Sequence, residues 1–267
     1  MENKQLERNP VERVYWLDMK KPLTIIGNWK TNPASLEEAK KLLEKTSKIQ
    51  TKKHISIKVA VPAVFLSALK TKKVGLGIQN ISNAENGAHT GLYSGLQARS
   101  AGATFTILGH SESRAAGESD DNINEKLILS IKAKLPVVLC IGEKERDHEG
   151  KFLTALQRTL LDNVRNVSKN HLKLLTIAYE PVWAVGEKAT AVATPHESME
   201  IAILIRRTLS DRFGNSGSKV PILYGGSVDK ENAGAFLREG GINGLLVGRE
   251  SLKPELFGEI ISSANSI

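Results

Sequence analysis

Eight short apolar runs punctuate the chain: LTIIGN (Leu23–Asn28), ISIKVAV (Ile55–Val61), VGLGI (Val74–Ile78), TFTILG (Thr104–Gly109), PVVLCIG (Pro136–Gly142), LLTIAY (Leu174–Tyr179), VPILYG (Val220–Gly225) and INGLLVG (Ile242–Gly248). They are nearly continuous rather than alternating, as strands covered on both faces should be. Amphipathic stretches separate them. In Ser35–Ile49, Leu36, Ala39, Leu42 and Leu43 share one helical face, and Ser35 three residues before Glu38 predicts a capping box. His196–Leu209 follows Thr194–Pro195, a helix-start pair, and Glu231–Glu239 reads as a short helix. Strands alternating with helices imply a parallel sheet. Eight such units in about 250 residues predict a single-domain α/β chain folded as a (β/α)8 barrel over residues 19–267. A doubly wound open sheet is the alternative, though no GxGxxG follows the first run to give it a dinucleotide site. Residues 1–18 stand apart as an extension of unknown structure. Met19-Lys20-Lys21-Pro22 could itself open a protein, so the extension reads equally as an added helix, a disordered arm or a misassigned start.

Composition narrows the class. The 267 residues are 40% hydrophobic and 25% charged, an ordinary globular balance able to bury a large core. The single cysteine, Cys140, precludes an internal disulfide and reads as a buried packing residue. No apolar run nears the roughly 18 residues of a membrane span. The first 18 residues lack the apolar stretch of a secretory signal, and Glu2, Glu7, Glu12 and Asp18 argue against a transit peptide. The cytoplasm is the expected location. The net charge is +8, with mild basic clusters at Lys48–Lys58 and Lys70–Lys73. No nucleic-acid recognition element accompanies them, so neither nucleic acid nor membrane is an expected partner. A positive field does suit a small anionic substrate.

Barrels of this kind place their chemistry where strands end. The polar residues there are Asn28 and Lys30 in GNWKTN, His110, Ser111 and Glu112 in LGHSESR, Glu180 in AYEP, Ser227 in YGGSV, and Gly248, Arg249 and Ser251 in LVGRES. Each alone has a plain reading as a surface charge or a structural polar group. Together they supply a carboxylate, an imidazole and a cation at one mouth, with two glycine-rich turns. Such turns suit a phosphate, because glycine lets backbone N–H groups approach closely. A carboxylate and a neutral histidine flanking a carbonyl compound suit proton abstraction alpha to that carbonyl. A lysine can stabilise the enediolate that forms. The histidines are scattered and no CxxC or HExxH occurs, so no metal is expected.

NWK, GHSE, CIGE, AYEPVWA, YGGSV and LLVG stand in the order and spacing of triosephosphate isomerases, and the chain resembles that family over residues 20–265. The resemblance implies isomerisation of a small phosphorylated triose without a cofactor. It implies that Glu180 is the base, His110 the neutral electrophile and Lys30 the substrate's electrostatic anchor. Asn28 and Glu112 would position Lys30 and the enediolate. Gly186, Ser227, Gly248 and Arg249 would offer N–H groups to the phosphate. Trp183 and Glu143 would meet as a lid closes, and Tyr224 would latch it. The lid departs from the family's usual AIGTGK: it reads AVGEKATAVATP, and Glu180 to Pro195 is about two residues longer than usual. That departure keeps open an isomerase of a longer sugar phosphate, such as a tetrulose phosphate. A sugar-phosphate-binding protein without catalysis is disfavoured, because Lys30, His110 and Glu180 are all present.

The family usually forms homodimers through the loop after the third strand, here Gln79–Gly91, in which Thr90 matches the residue reaching the partner's Asn28. Leu92 stands where the family usually has glutamate, and Ser113 where it has arginine. Those positions commonly form an ion pair across the interface. Their joint replacement strands no charge, so a homodimer remains the expectation.

Overall fold

A computed structural model describes residues 22–184 and 192–267. The extension 1–18, and the lid residues around Gly186, lie outside the described residues.

Eight parallel strands close into a barrel in sequence order, which settles the choice against an open sheet. They are β1 (Leu23–Asn28), β2 (Ile55–Val61), β3 (Gly75–Ile78), β4 (Thr106–Leu108), β5 (Val137–Ile141), β6 (Leu175–Tyr179), β7 (Ile222–Tyr224) and β8 (Gly244–Val247). Closure is made by β1 on β8, with Thr24 opposite Gly244 and Gly27 opposite Val247. The helices are α1 (Leu36–Ser47), α2 (Ala63–Leu66), α3 (Gly95–Ser100), α4 (Ser111–Ala115), α5 (Asp120–Lys132), α6 (Lys151–Asn163), α7 (Pro195–Phe213), α8 (Ala233–Glu239) and α9 (Pro254–Asn265).

Several strands are shorter than the apolar runs that encode them. Thr104–Gly109 pairs only over Thr106–Leu108, and Val220–Gly225 only over Ile222–Tyr224. Backbone hydrogen bonds still continue past these short stretches, Thr104 N–H donating to Leu76 O at 2.7 Å and Ile177 N–H to Pro221 O at 2.9 Å. The capping box expected at Ser35 forms only its serine half, Ser35 Oγ accepting from Glu38 N–H at 3.3 Å. Complete boxes occur instead at Ser94/Gln97, before α3, and Thr194/Glu197, before α7.

The period of two along each strand divides the core. Ile26, Ala60, Phe105, Ile107, Val138, Cys140, Ala178, Leu223 and Leu246 form the cluster inside the barrel. Their neighbours, such as Ile25, Val59 and Leu139, join a larger cluster beneath the helices. Lys58 occupies the same face of β2 as Ala60, and its ammonium lies 5.7 Å from the Phe105 ring centroid. Burial pushes the Lys58 amine below its ordinary range. With the interior filled by side chains, ligand space is left at the mouth where strands end.

Candidate active site

Lys30 follows β1 with φ at 52°, a left-handed conformation uncommon for a residue with a side chain. Its backbone is held on both sides. Asn28 Oδ1 accepts the Lys30 N–H at 3.1 Å, and Gln79 Nε2 donates to the Lys30 carbonyl at 2.8 Å. The ammonium pairs with Glu112 Oε1. The sequence assigned Asn28 and Glu112 to this support; Gln79 escaped notice because a lone glutamine after a strand carries no distinctive pattern.

His110 ends the β4 segment as the N-cap of α4. Its Nδ1 accepts the Glu112 N–H at 3.2 Å. With Nδ1 in the acceptor role, Nε2 is the ring nitrogen left to donate. That Nε2 faces Glu180 Oε1 at 3.3 Å.

Glu180 leaves β6 with its N–H bonded to Ile141 O at 2.8 Å. It is only 2% exposed, yet both carboxylate oxygens have partners: Oε2 accepts the Ser111 N–H at 3.0 Å, and Oε1 meets His110. β5 crowds closely here. A Cβ on Gly142 would lie 1.7 Å from the Glu180 carbonyl oxygen, so the strand mouth requires glycine. Behind it Cys140 is fully buried. Burial, and then the Glu180 carboxylate, push its thiol well above the usual range. The thiol is inert packing, as expected from sequence.

These groups line a cleft of about 170 Å³, Asn28, Lys30, His110 and Glu180 together with Gly225–Ser227, Gly248 and Arg249. Ser227 Oγ donates to Ala184 O at 2.8 Å, joining the β7 turn to the start of the lid segment. Ser251 Oγ donates to Gly248 O at 2.7 Å and fixes the β8 turn. Among the described residues, no group of three or more His, Cys, Asp or Glu side chains is placed to hold a metal ion.

A second cluster sits where the lid segment leaves the barrel. Glu143 Oε1 accepts from Tyr179 Oη at 2.8 Å, Trp183 Nε1 at 2.8 Å and Arg146 Nε at 2.9 Å. Arg146 also donates to Glu197 Oε1 at 3.0 Å, and its guanidinium lies 5.0 Å from the Trp183 ring centroid. It therefore connects Glu143 before the lid segment with Glu197 after it. Burial, followed by the Glu143 carboxylate, holds the Tyr179 phenol far above its ordinary range. Tyr224 stacks on Phe236 with ring centroids 3.9 Å apart, and burial raises its phenol too. Arg146 and Glu197 were missed from sequence. The signals were present, since Arg146 lies three residues after Glu143 and Glu197 three after Thr194, but neither spacing names a partner across the fold.

The comparisons with known proteins agree with this geometry. The family model described as triosephosphate isomerase matches residues 23–264. A triosephosphate isomerase of Fusobacterium nucleatum is 36% identical over 250 residues, covering 91% of this chain and 99% of the relative. That of Treponema denticola is 37% identical over 243 residues, covering 89% and 96%. The crystal structure of triosephosphate isomerase from Bartonella henselae superposes with a TM-score of 0.80 at 32% identity, covering 91% of this chain and 99% of that one. With the closed barrel, the strand-end cleft and near-complete coverage in hand, the chain belongs to the triosephosphate isomerase family.

Proposed function

We propose that the cleft performs the family's reaction with Glu180 as base, His110 as electrophile and Lys30 as anchor. The activity itself is that of a triosephosphate isomerase: the glycolytic interconversion of glycerone phosphate and D-glyceraldehyde 3-phosphate. The observation that carries the residue roles is the pairing of a buried carboxylate with an imidazole, Glu180 Oε1 lying 3.3 Å from His110 Nε2.

In this reading the substrate phosphate is cradled by N–H groups of Ser227, Gly248 and Arg249. Gly186 completes the cradle in the sequence-based assignment. The carbonyl carbon and its neighbour then lie between Glu180 and His110. Glu180 releases the Ser111 N–H and takes a proton from the carbon next to the carbonyl. The carbonyl oxygen gains the charge, and the Lys30 ammonium and the His110 Nε2–H stabilise it. His110 gives its Nε2 proton to that oxygen and takes one from the adjacent hydroxyl. Glu180 returns its proton to the other carbon. Protons balance, and the enzyme ends as it began. Glu143, Trp183 and Tyr224 support the lid segment from outside the cleft.

The longer lid motivates one second reading, preference for a tetrulose phosphate. kcat/KM measured on both substrates separates the two. The triose is expected to be preferred; preference for the tetrulose would overturn the assignment.

The same reading makes the protein a homodimer. A cavity of about 260 Å³ opens beside the cleft, lined by Asn28, Thr31, Gln79, Glu112 and Ser113. It suits insertion of the Thr90 loop from a second subunit. Val64, Leu92 and Leu96 are 81%, 56% and 50% exposed after β2 and β3, apolar area that a partner would cover. Leu92 and Ser113 thus replace an ion pair by contacts that leave no buried charge alone. The chain mass is 29.1 kDa. Light scattering at micromolar concentration is expected to give twice that; a species of single-chain mass alone would contradict the dimer. The reading also places the enzyme in the cytoplasm, and keeps residues 1–18 as an extension to a barrel domain spanning 19–267.

A further inference from the structure

We propose that Arg114 is a positioning residue for the isomerisation, holding His110 and Glu180 in register across two strands. The proposal rests on those two residues being the acid–base pair.

His110 and Glu180 come from β4 and β6, separated in the barrel by β5. Their spacing therefore depends on how the ends of these strands are tied together. Arg114 makes the tie. It lies on α4, one turn after His110, and its backbone N–H donates to His110 O at 3.0 Å. Its side chain turns back beneath the strand ends. Nε donates to Gly109 O at 2.7 Å, and Nη2 donates to Cys140 O at 3.1 Å.

Each carbonyl sets a catalytic side chain. The Gly109 carbonyl belongs to the peptide that carries the His110 nitrogen, so its direction fixes how the imidazole leaves β4. Gly109 has φ at +67°, and a Cβ there would lie 2.9 Å from Arg114 Nη2. The turn that aims His110 and the seat of the guanidinium are thus built against each other. The Cys140 carbonyl is one residue from Ile141, whose oxygen accepts the Glu180 N–H at 2.8 Å.

The guanidinium is itself clamped. Nη1 donates to Asp120 Oδ1 at 2.6 Å, and Nη2 donates to Asn163 Oδ1 at 2.7 Å. Asn163 is fully buried and donates to Asp120 Oδ1 at 2.6 Å; Asn124 Nδ2 donates to Asn163 O at 2.7 Å. Three helices, α4, α5 and α6, therefore converge on one planar cation. Its four side-chain hydrogen bonds point in the fixed directions of the guanidinium fork, which a lysine ammonium cannot reproduce. Loosening the fork lets the β4 and β5 ends shift. A misplacement near 1 Å from a group remote from the reacting atoms can cost roughly 100-fold in rate.

The test is Arg114→Lys, read by steady-state kinetics and by inhibition with inorganic phosphate. kcat is expected to fall about 10- to 100-fold. KM and the phosphate inhibition constant should stay within about threefold, because β7 and β8 build that end of the cleft. Unchanged kcat would overturn the proposal. So would kcat and phosphate affinity falling together, which marks general loosening rather than lost alignment. If Arg114→Lys does not fold, Asp120→Asn removes the guanidinium's anchor and is judged by the same split, with a smaller loss of kcat expected. Glu180→Asp serves as the control. Intact turnover in that variant removes the acid–base reading itself. A crippled Glu180→Asp beside an unaffected Arg114→Lys removes only the positioning role.

Discussion

Glu180→Asp is expected to lower kcat by about 100-fold or more, with inhibition by inorganic phosphate little changed. The substitution keeps the charge and removes one methylene. Glu180 sits at the end of β6, with its backbone fixed by the Ile141 carbonyl and its outer surface closed by neighbours to 2% exposure. A shortened side chain has no freedom to advance, because the backbone beneath it is packed against Gly142. The carboxylate therefore retreats from the carbon whose proton it must take. The phosphate end of the cleft, formed by the β7 and β8 turns, is untouched. The loss should appear in kcat, the quantity that reports the chemical step when binding is preserved.

His110→Gln is expected to cost about 100-fold or more in kcat as well. Glutamine can place one N–H near the substrate oxygen and so retains part of the electrostatic stabilisation. It cannot give a proton to one oxygen and take another from its neighbour. It also loses the Nδ1 acceptor for the Glu112 N–H, the bond that fixes the ring tautomer. Direct proton exchange through histidine would disappear, leaving Lys30 as the cation facing the enediolate. Steady-state turnover with either triose phosphate checks this; a variant as fast as wild type would exclude His110 from the proton path.

The architecture was open to reading because each strand is a nearly continuous apolar run, and eight of them separated by helical segments leave few ways to close a sheet. The strand ends were less legible. Thr104 and Val220 lie outside the regular strands, although Thr104 still donates its N–H to Leu76 O at 2.7 Å. Lys58 inside the barrel was invisible as well, for a lysine between Ile57 and Val59 looks like an ordinary outward position. In the cleft, Lys30, His110 and Glu180 could be named because each closes an apolar run with a reactive side chain. Arg114, Arg146 and Gln79 could not. They act through atoms brought together from distant segments, as when Arg114 reaches Cys140 O and Asn163 Oδ1. Nothing in local spacing encodes such a meeting.

The central claim is that one carboxylate, Glu180, moves a proton between neighbouring carbons of a triose phosphate. The most direct measurement is the rate at which solvent deuterium enters the carbon-bound positions of glycerone phosphate, compared between wild type and Glu180→Asp. The account predicts incorporation by the wild type, and a loss in the variant that parallels its loss of turnover. Exchange that continues at the wild-type rate in Glu180→Asp would contradict it.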